Sequence, residues 1–444
     1  MTAATAKPAR WPRVAYRWEL VVWLWLAFFC NQADRQLFNV VLPSIKADLG
    51  LSDVQLGLVA TMFTVALAVM VPIAGFAGDR FSRKRLVVAS LFSWSLATLV
   101  TGFGSGLVYL IVVRSLATGV GEGFYAPSAN ALLGANHTET RARAMSIYQT
   151  SVYAGVVASG LIGGAVADRL GWRAAFWVFG AGGAALAGLM AWRLRPDPRV
   201  QAEAAPRSDG LRAAASRSEQ SRTAAPRMGN VRAATTILGT RTVIFFLIAC
   251  CGMIFVNIGY LTWMPTYLYE RFGLSLARAG FSSMLAHHVF AVVGVLVGGW
   301  LSDRYAPRRP RLRLELQALG LLLGAPFLLL LGRTGDLTLT YAALAGFGFF
   351  RGIYDSNTYP VLFSVIEPRL HATASGLVIA IAFLFGSFAP VTLAVVKGTF
   401  GLAAGLSSLS LVYVVAGLAA FIGAQAYFDR DYARVRHEVS EAAA

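Results

Sequence analysis

Charge is scarce in this sequence. Only 14% of its 444 residues are Asp, Glu, Lys or Arg, against ~25% in an ordinary soluble domain. The acids are rarer still, 22 against 39 bases. So few charges over so long a chain cannot cover a water-facing surface, because soluble cores stop growing near ~250–300 residues. That excludes a soluble globular enzyme. Cysteine is also rare: Cys30, Cys250 and Cys251 lie inside apolar runs and match no metal-ligand spacing, so they are assigned to packing and say little about redox compartment. The sequence has no phosphate-cradling Gly loop ending in Lys-Ser/Thr, no metal-ligand cluster and no nucleophile triad, which argues against an enzyme, against direct ATP drive and against a cofactor or metal.

What is plentiful is apolar: AVILMFWYC make up 57% of the chain, with 44 Gly, 28 Phe and 10 Trp, and the mean hydropathy is +0.60. A lipid bilayer is the solvent such a composition requires. The formal charge of +17 would suit phosphate neutralisation on a nucleic acid. Its distribution excludes that partner, since the bases come in short clusters between apolar runs and no nucleic-acid-binding motif occurs.

A membrane-crossing helix needs ~20 mostly apolar residues. Runs bounded by charge, Gly or Pro number twelve: 18–42, 54–78, 86–104, 107–133, 144–167, 172–193, 242–268, 281–302, 314–332, 338–365, 372–396 and 403–428. The first continues past a signal peptide's apolar region and meets no small-residue cleavage site, so it is kept as helix 1. The predicted fold is an all-α membrane protein of two six-helix bundles, 1–194 and 242–444, joined by a linker over 195–241. That linker is rich in Ala, Arg and Ser with almost no large apolar residues, a solvated tether whose arginines could also touch anionic headgroups. Of the 39 Lys and Arg, counting a base at the end of a run with the side it faces, 29 fall on the side holding both termini, 7 on the other and three deep inside helices. The positive-inside rule then puts both termini in the cytoplasm and the chain in the inner membrane.

The chain repeats itself. The end of helix 2 reads Gly75-Phe-Ala-Gly-Asp79-Arg80-Phe-Ser-Arg83-Lys84-Arg85, and the end of helix 8 reads Gly299-Trp-Leu-Ser-Asp303-Arg304-Tyr-Ala-Pro-Arg308-Arg309. A motif recurring near half the chain length marks a duplicated unit, and two halves around a substrate site is a transporter plan. Gly75 and Gly299 permit close helix approach, while Asp79 and Asp303 can accept from a neighbouring helix N-terminus or pair with Arg80, Arg83 or Arg304. Such contacts would latch the cytoplasmic side shut. Ordinary basic caps would account for one copy more easily than for two.

With these paired loops the chain resembles the major facilitator superfamily over all but its linker and termini. Within it, Asp34-Arg35, Pro43, Leu49-Gly-Leu-Ser52 and Gln55-Leu-Gly57 resemble the anion:cation symporter group and the related spinster-like group. So do Arg114, Gly119-Val-Gly-Glu122-Gly123 and Pro127. The resemblance implies an alternating-access carrier driven by an ion gradient. Ser82 stands where the family usually has Gly, Ala306-Pro307 alters the second loop, and helix 5 lacks the Gly-Pro pairing of drug antiporters.

A charge at mid-bilayer costs on the order of 3 kcal/mol or more, so its retention points to a cavity, a partner or a function. Six qualify: Asp34, Arg35, Arg114, Glu122, Arg351 and Asp355. Three acids and three bases can also balance as structural ion pairs, and Arg351 with Asp355, four apart on helix 10, could be one. Asp34 and Arg35 are adjacent, point ~100° apart and must serve different neighbours. Asp34 and Glu122 are the expected proton carriers, a role the resemblance supports. Arg35, Arg114 and Arg351 are the expected anion partners, since a guanidinium can engage a carboxylate through two parallel bonds. Asn257, Tyr260, Trp263 and Tyr267 flank Pro265, and Tyr354 and Asn357 flank Asp355. Groups on such interrupted helices could bind substrate hydroxyls, although Trp263 and Tyr267 equally suit an interfacial aromatic belt. His287 and His288 read as early helix 8 and interfacial, and stay outside the site.

The expectation is a proton-coupled symporter of a small organic anion, a sugar acid or carboxylate, working as a monomer, with H⁺ and membrane lipid as its other partners. The alternatives are a spinster-like carrier of lysolipids or other amphiphiles and, from another class, a transporter-like receptor or membrane-embedded enzyme. Against the last two stand termini and a linker without room for a folded soluble domain.

Overall fold

The computed structural model describes residues 16–80, 82–137, 140–195 and 230–443, and all regular structure among them is helical. Each predicted run is a helix: α1 (Tyr16–Leu49), α2 (Asp53–Arg80), α3 (Arg83–Thr101), α4 (Leu107–Asn136), α5 (141–170) and α6 (Trp172–Arg193). After them come α7 (Arg241–Phe272), α8 (Leu276–Tyr305), α9 (Leu312–Arg333), α10 (337–365), α11 (371–400) and α12 (Leu402–Ala426). A short helix, Asn230–Gly239, precedes α7, and another, Phe428–Ala443, follows α12. Most of the linker reading lies outside the described residues.

Nine helices among the described residues are long and apolar enough to span a membrane by composition alone. Those that fall short are α1, α3 and α10. Polar groups on α1 and α10 are tolerated because they turn inward: Asn31, Gln32, Asp34, Gln36 and Asn39 on α1 are all buried. In lipid, unsatisfied polar groups would cost several kcal/mol each.

The duplication is visible in the backbone. The glycines with positive φ are Gly50, Gly171, Gly273 and Gly401, which end α1, α5, α7 and α11, the left-handed turn favouring Gly. They form two matched pairs, one per half. Interruptions match as well: α4 and α5 carry π-helical stretches over Leu110–Ala117 and Ser159–Gly163, while α10 breaks between Asp355 and Thr358 and α11 between Gly386 and Ala389. Such departures from α-geometry free backbone groups and re-aim side chains, commonly at working sites.

Among the described residues, the halves are tied together at the face opposite the termini. Asp168, at the end of α5, accepts from the backbone N–H of Leu276 and of Ala277, each at 3.0 Å, and so caps α8 across the divide. Lys397 bridges Asp53 of the first half at 3.1 Å and Glu270 of the second at 2.7 Å. Deeper, Gly160 faces Gly280 so closely that a Cβ on either would strike the other's backbone. At the terminal face, Arg83 donates to the Ala131 carbonyl, and Asp303 and Arg304 are exposed. The surroundings of Gly75 and the side chains of Asp79 and Arg80 lie outside the described residues. Gly299 has open space where a Cβ would go, so it does not make the close helix approach its motif position suggests.

Candidate functional site

A cavity of ≈ 290 Å³ lies between the halves, above the seal, near the lower end of small-ligand sites. Its lining includes Arg35 from α1, Arg114 from α4 and Arg351 from α10, together with Gln32, Gln36, Asn39, Gln149 and Asn257. No Asp or Glu is among the lining residues.

The acids sit behind the arginines. Arg35 donates from Nε (3.2 Å) and Nη2 (2.7 Å) to one oxygen of Glu122, and the other Glu122 oxygen is buried without a partner. Arg114 instead grips backbone: its Nη2 donates to the carbonyls of Asp34 (3.0 Å) and Arg35 (3.1 Å). Its guanidinium lies over Phe63 at 5.2 Å, with Phe38 and Phe176 within 6 Å, cation–π contacts that hold a desolvated cation. Nη1 of Arg114 has no partner. Asp34 is buried, and neither of its carboxylate oxygens is hydrogen-bonded. The Trp94 indole and Thr98 hydroxyl of α3 face the carboxylate as its nearest donors, just outside strict hydrogen-bond geometry, and have no other partner.

Asp34 and Arg35 therefore do serve different neighbours, as their 100° separation requires. Arg114 makes no hydrogen bond to Glu122 and reaches α1 through carbonyls, a pairing that spacing along α4 does not reveal.

In the second half Arg351 Nη1 donates to His287 Nε2 at 2.8 Å, while its Nε stands 3.5 Å from Asp355 without a hydrogen bond. The i, i+4 pair is thus loose, and the histidine is the closer partner. The interfacial reading of His287 and His288 is corrected: both are buried, and His288 lines the cavity. Since α8 begins at Leu276, His287 lies about 17 Å along the helix at ~1.5 Å per residue, near the middle of the bilayer.

Other sequence-selected residues divide. Asn257 reaches the cavity. Tyr260, Tyr354 and Asn357 are buried but do not line it: the Tyr260 hydroxyl donates to the Ser283 carbonyl, the Tyr354 hydroxyl to Cys250 Sγ at 3.1 Å, and the Asn357 amide to Ser356 Oγ at 2.9 Å. Trp263 and Tyr267 are buried as well, donating to the carbonyls of Pro390 and Leu331, and are no interfacial belt. A buried hydroxyl or indole needs a partner, and here helix carbonyls, and for Tyr354 the Cys250 sulfur, supply it in place of substrate. Gln32, Gln36, Asn39 and Gln149 were missed because an uncharged amide in an apolar run carries no charge penalty to single it out.

The profile of the Major Facilitator Superfamily matches residues 24–390, a stretch that includes all three cavity arginines and Asp168. The chain belongs to that superfamily. Its long apolar helices make it an integral, multi-pass membrane protein. Among curated relatives, the probable sulfoacetate transporter of Cupriavidus necator is 31% identical over 308 residues, covering 65% of this chain and 65% of that protein. The chain thus spans just under two thirds of that relative's length. The gallate transporter of Pseudomonas putida is 29% identical over 448 residues, covering 96% of this chain and 94% of that protein. A solved structure of a bacterial homologue of the human lysosomal transporter Spinster, inward-facing and unoccupied, superposes with a TM-score of 0.77 at 22% identity, covering 95% of this chain and 98% of that one. At that identity the likeness is one of fold.

Proposed function

We propose that the protein is a proton-coupled symporter of a small organic anion, a carboxylate, sulfonate or sugar acid, working by alternating access as a monomer. One observation carries the reading: arginines from both halves converge on a cavity whose lining holds no acid. A buried donor without an acceptor costs ~1–3 kcal/mol, more when charged, and Arg114 Nη1 is such a donor. An anionic substrate would satisfy it, and the flanking amides suit hydroxyls or a second oxyanion. Sulfoacetate and gallate, the cargoes in the relatives' names, belong to this chemical class.

Asp34 and Glu122 are the proton carriers in this scheme. Asp34 has no counter-charge hydrogen-bonded to it, so a bound proton removes the cost of burying its charge. Glu122 is held by Arg35, and an anion that draws Arg35 away leaves Glu122 to take up a proton. The boundaries at 194 and 242 divide the bundles. With both termini cytoplasmic by the distribution of basic residues, the sealed face is read as the outer one and the state as inward-facing. The lining also carries apolar side chains, among them Phe38, Phe63, Leu67, Ile258 and Phe383, so it is the three arginines that favour an anion over an uncharged amphiphile.

The test is uptake into proteoliposomes under an imposed proton gradient, screened over sulfoacetate, gallate, sugar acids, dicarboxylates and lysolipids. Glu122→Gln is expected to abolish gradient-driven accumulation of the transported anion. Unchanged accumulation in that variant sinks the proton role, and uptake of lysolipids alone sinks the anion reading.

A further inference from the structure

We propose that His287 is a positioning residue: it holds Arg351 in place as the second half's anchor for the anionic group of the substrate. This rests on the anion reading above.

The chemistry of the pair settles which atom donates. A guanidinium has donors only, so His287 Nε2, 2.8 Å from Arg351 Nη1, must present its lone pair. The imidazole is therefore neutral with its proton on Nδ1, and Nδ1 has no partner. A protonated ring would have no lone pair for the guanidinium and would set cation against cation. The ring is itself immobilised: its centroid lies 4.6 Å from Phe347 and 4.8 Å from Tyr260, and no part of the residue is exposed.

A hydrogen bond between α8 and α10 requires their backbones to come close, and glycines provide for it. A Cβ on Gly348 would strike the His287 carbonyl, one on Gly352 the Ala291 carbonyl, and one on Gly294 the Phe349 carbonyl. This is the small-residue packing by which membrane helices approach, here bracketing Arg351 on both sides. Asp355 cannot replace the histidine as holder, because its contact with Arg351 is 3.5 Å and lacks hydrogen-bond geometry. Held by His287, the Arg351 side chain reaches the cavity wall, opposite the first-half arginines.

α8 is also the helix that Asp168 caps and that carries His288 against Tyr153 of the first half. An anion bound at Arg351 is thereby tied, through His287, to the helix that closes the outer face.

Two measurements decide the matter. In proteoliposomes, for whichever panel anion the wild type accumulates, His287→Leu should raise KM about ten-fold or more, the effect of losing a hydrogen bond to a charged group. His287→Gln, whose amide oxygen can accept from the guanidinium, should stay within about three-fold of wild type. Equal KM in the Leu variant and wild type, or equal losses in Leu and Gln, overturns the proposal. In nanodiscs without any ligand, ¹⁵N-histidine NMR, with His287→Gln used to assign the signal, should show Nε2 of His287 unprotonated and shifting on Arg351→Met. An unshifted resonance overturns the contact. A wild type that accumulates no panel anion removes the anion reading, and the anchor role with it, while the NMR response still reports on the His287–Arg351 bond, so the two failures are distinct.

Discussion

Arg114 does something lysine could not. Its guanidinium donates to two successive carbonyls of α1 while lying over Phe63, and only a planar, multi-donor cation can do both and keep a further N–H for a ligand. Arg114→Lys is therefore expected to reduce the initial uptake rate at sub-saturating substrate about ten-fold or more, with the purified protein still monodisperse in detergent. A rate within two-fold of wild type would show that charge alone suffices there. The rarity of mid-helix charge made all three cavity arginines legible in the sequence. Their partners were not legible. Glu122 is 87 positions from Arg35 and His287 is 64 from Arg351, distances at which no helical periodicity connects two residues.

At the scale of the element, the capped N-terminus of α8 is the clearest gating feature. Asp168 places a carboxylate on two free N–H groups at the positive end of a helix dipole, an arrangement worth about 1 kcal/mol or somewhat more. It joins the two halves at the face opposite the termini, so in the proposed cycle it must break when that face opens. Asp168→Asn is predicted to weaken that closure and enrich the outward-open population. Electron–electron distance measurements between spin labels at residues 105 and 335, both exposed at the outer turns, should show a growing long-distance component. A distribution identical to that of the unsubstituted labelled protein would assign the closure to Lys397 and the Gly160–Gly280 contact instead. Helix existence was plain from the apolar runs, because a bilayer leaves backbone polar groups no partner but the helix itself. The π-helical stretch around Arg114 was not, since it packs against α2 and α3 and such a local change of winding leaves no mark on composition.

For the whole molecule, the sealed face opposite the termini and the cavity between the halves are what the proposed alternating-access cycle requires of one of its two states, and the two states must differ by little if the carrier is to cycle. In the proposed cycle the duplicated Asp79 and Asp303 loops serve the other member, in which the terminal face closes. Asp303 is exposed. Asp79→Asn is predicted to slow the transport cycle several-fold while leaving substrate affinity little altered, measured as turnover against equilibrium binding. Turnover equal to wild type would remove the latch from the mechanism.

Amino-acid order alone determined the solvent, the number of crossings, the twofold repeat and the identity of the buried charges, because each follows from the cost of placing a given side chain in hydrocarbon. Tertiary structure alone decided which of those charges meet, that the acids stand behind the bases, that two histidines thought to lie at the membrane surface are deep inside, and which face is shut. Those are facts about contacts between helices distant in sequence. In a membrane such contacts are selected by close packing and hydrogen bonding between helices rather than by any pattern within one of them.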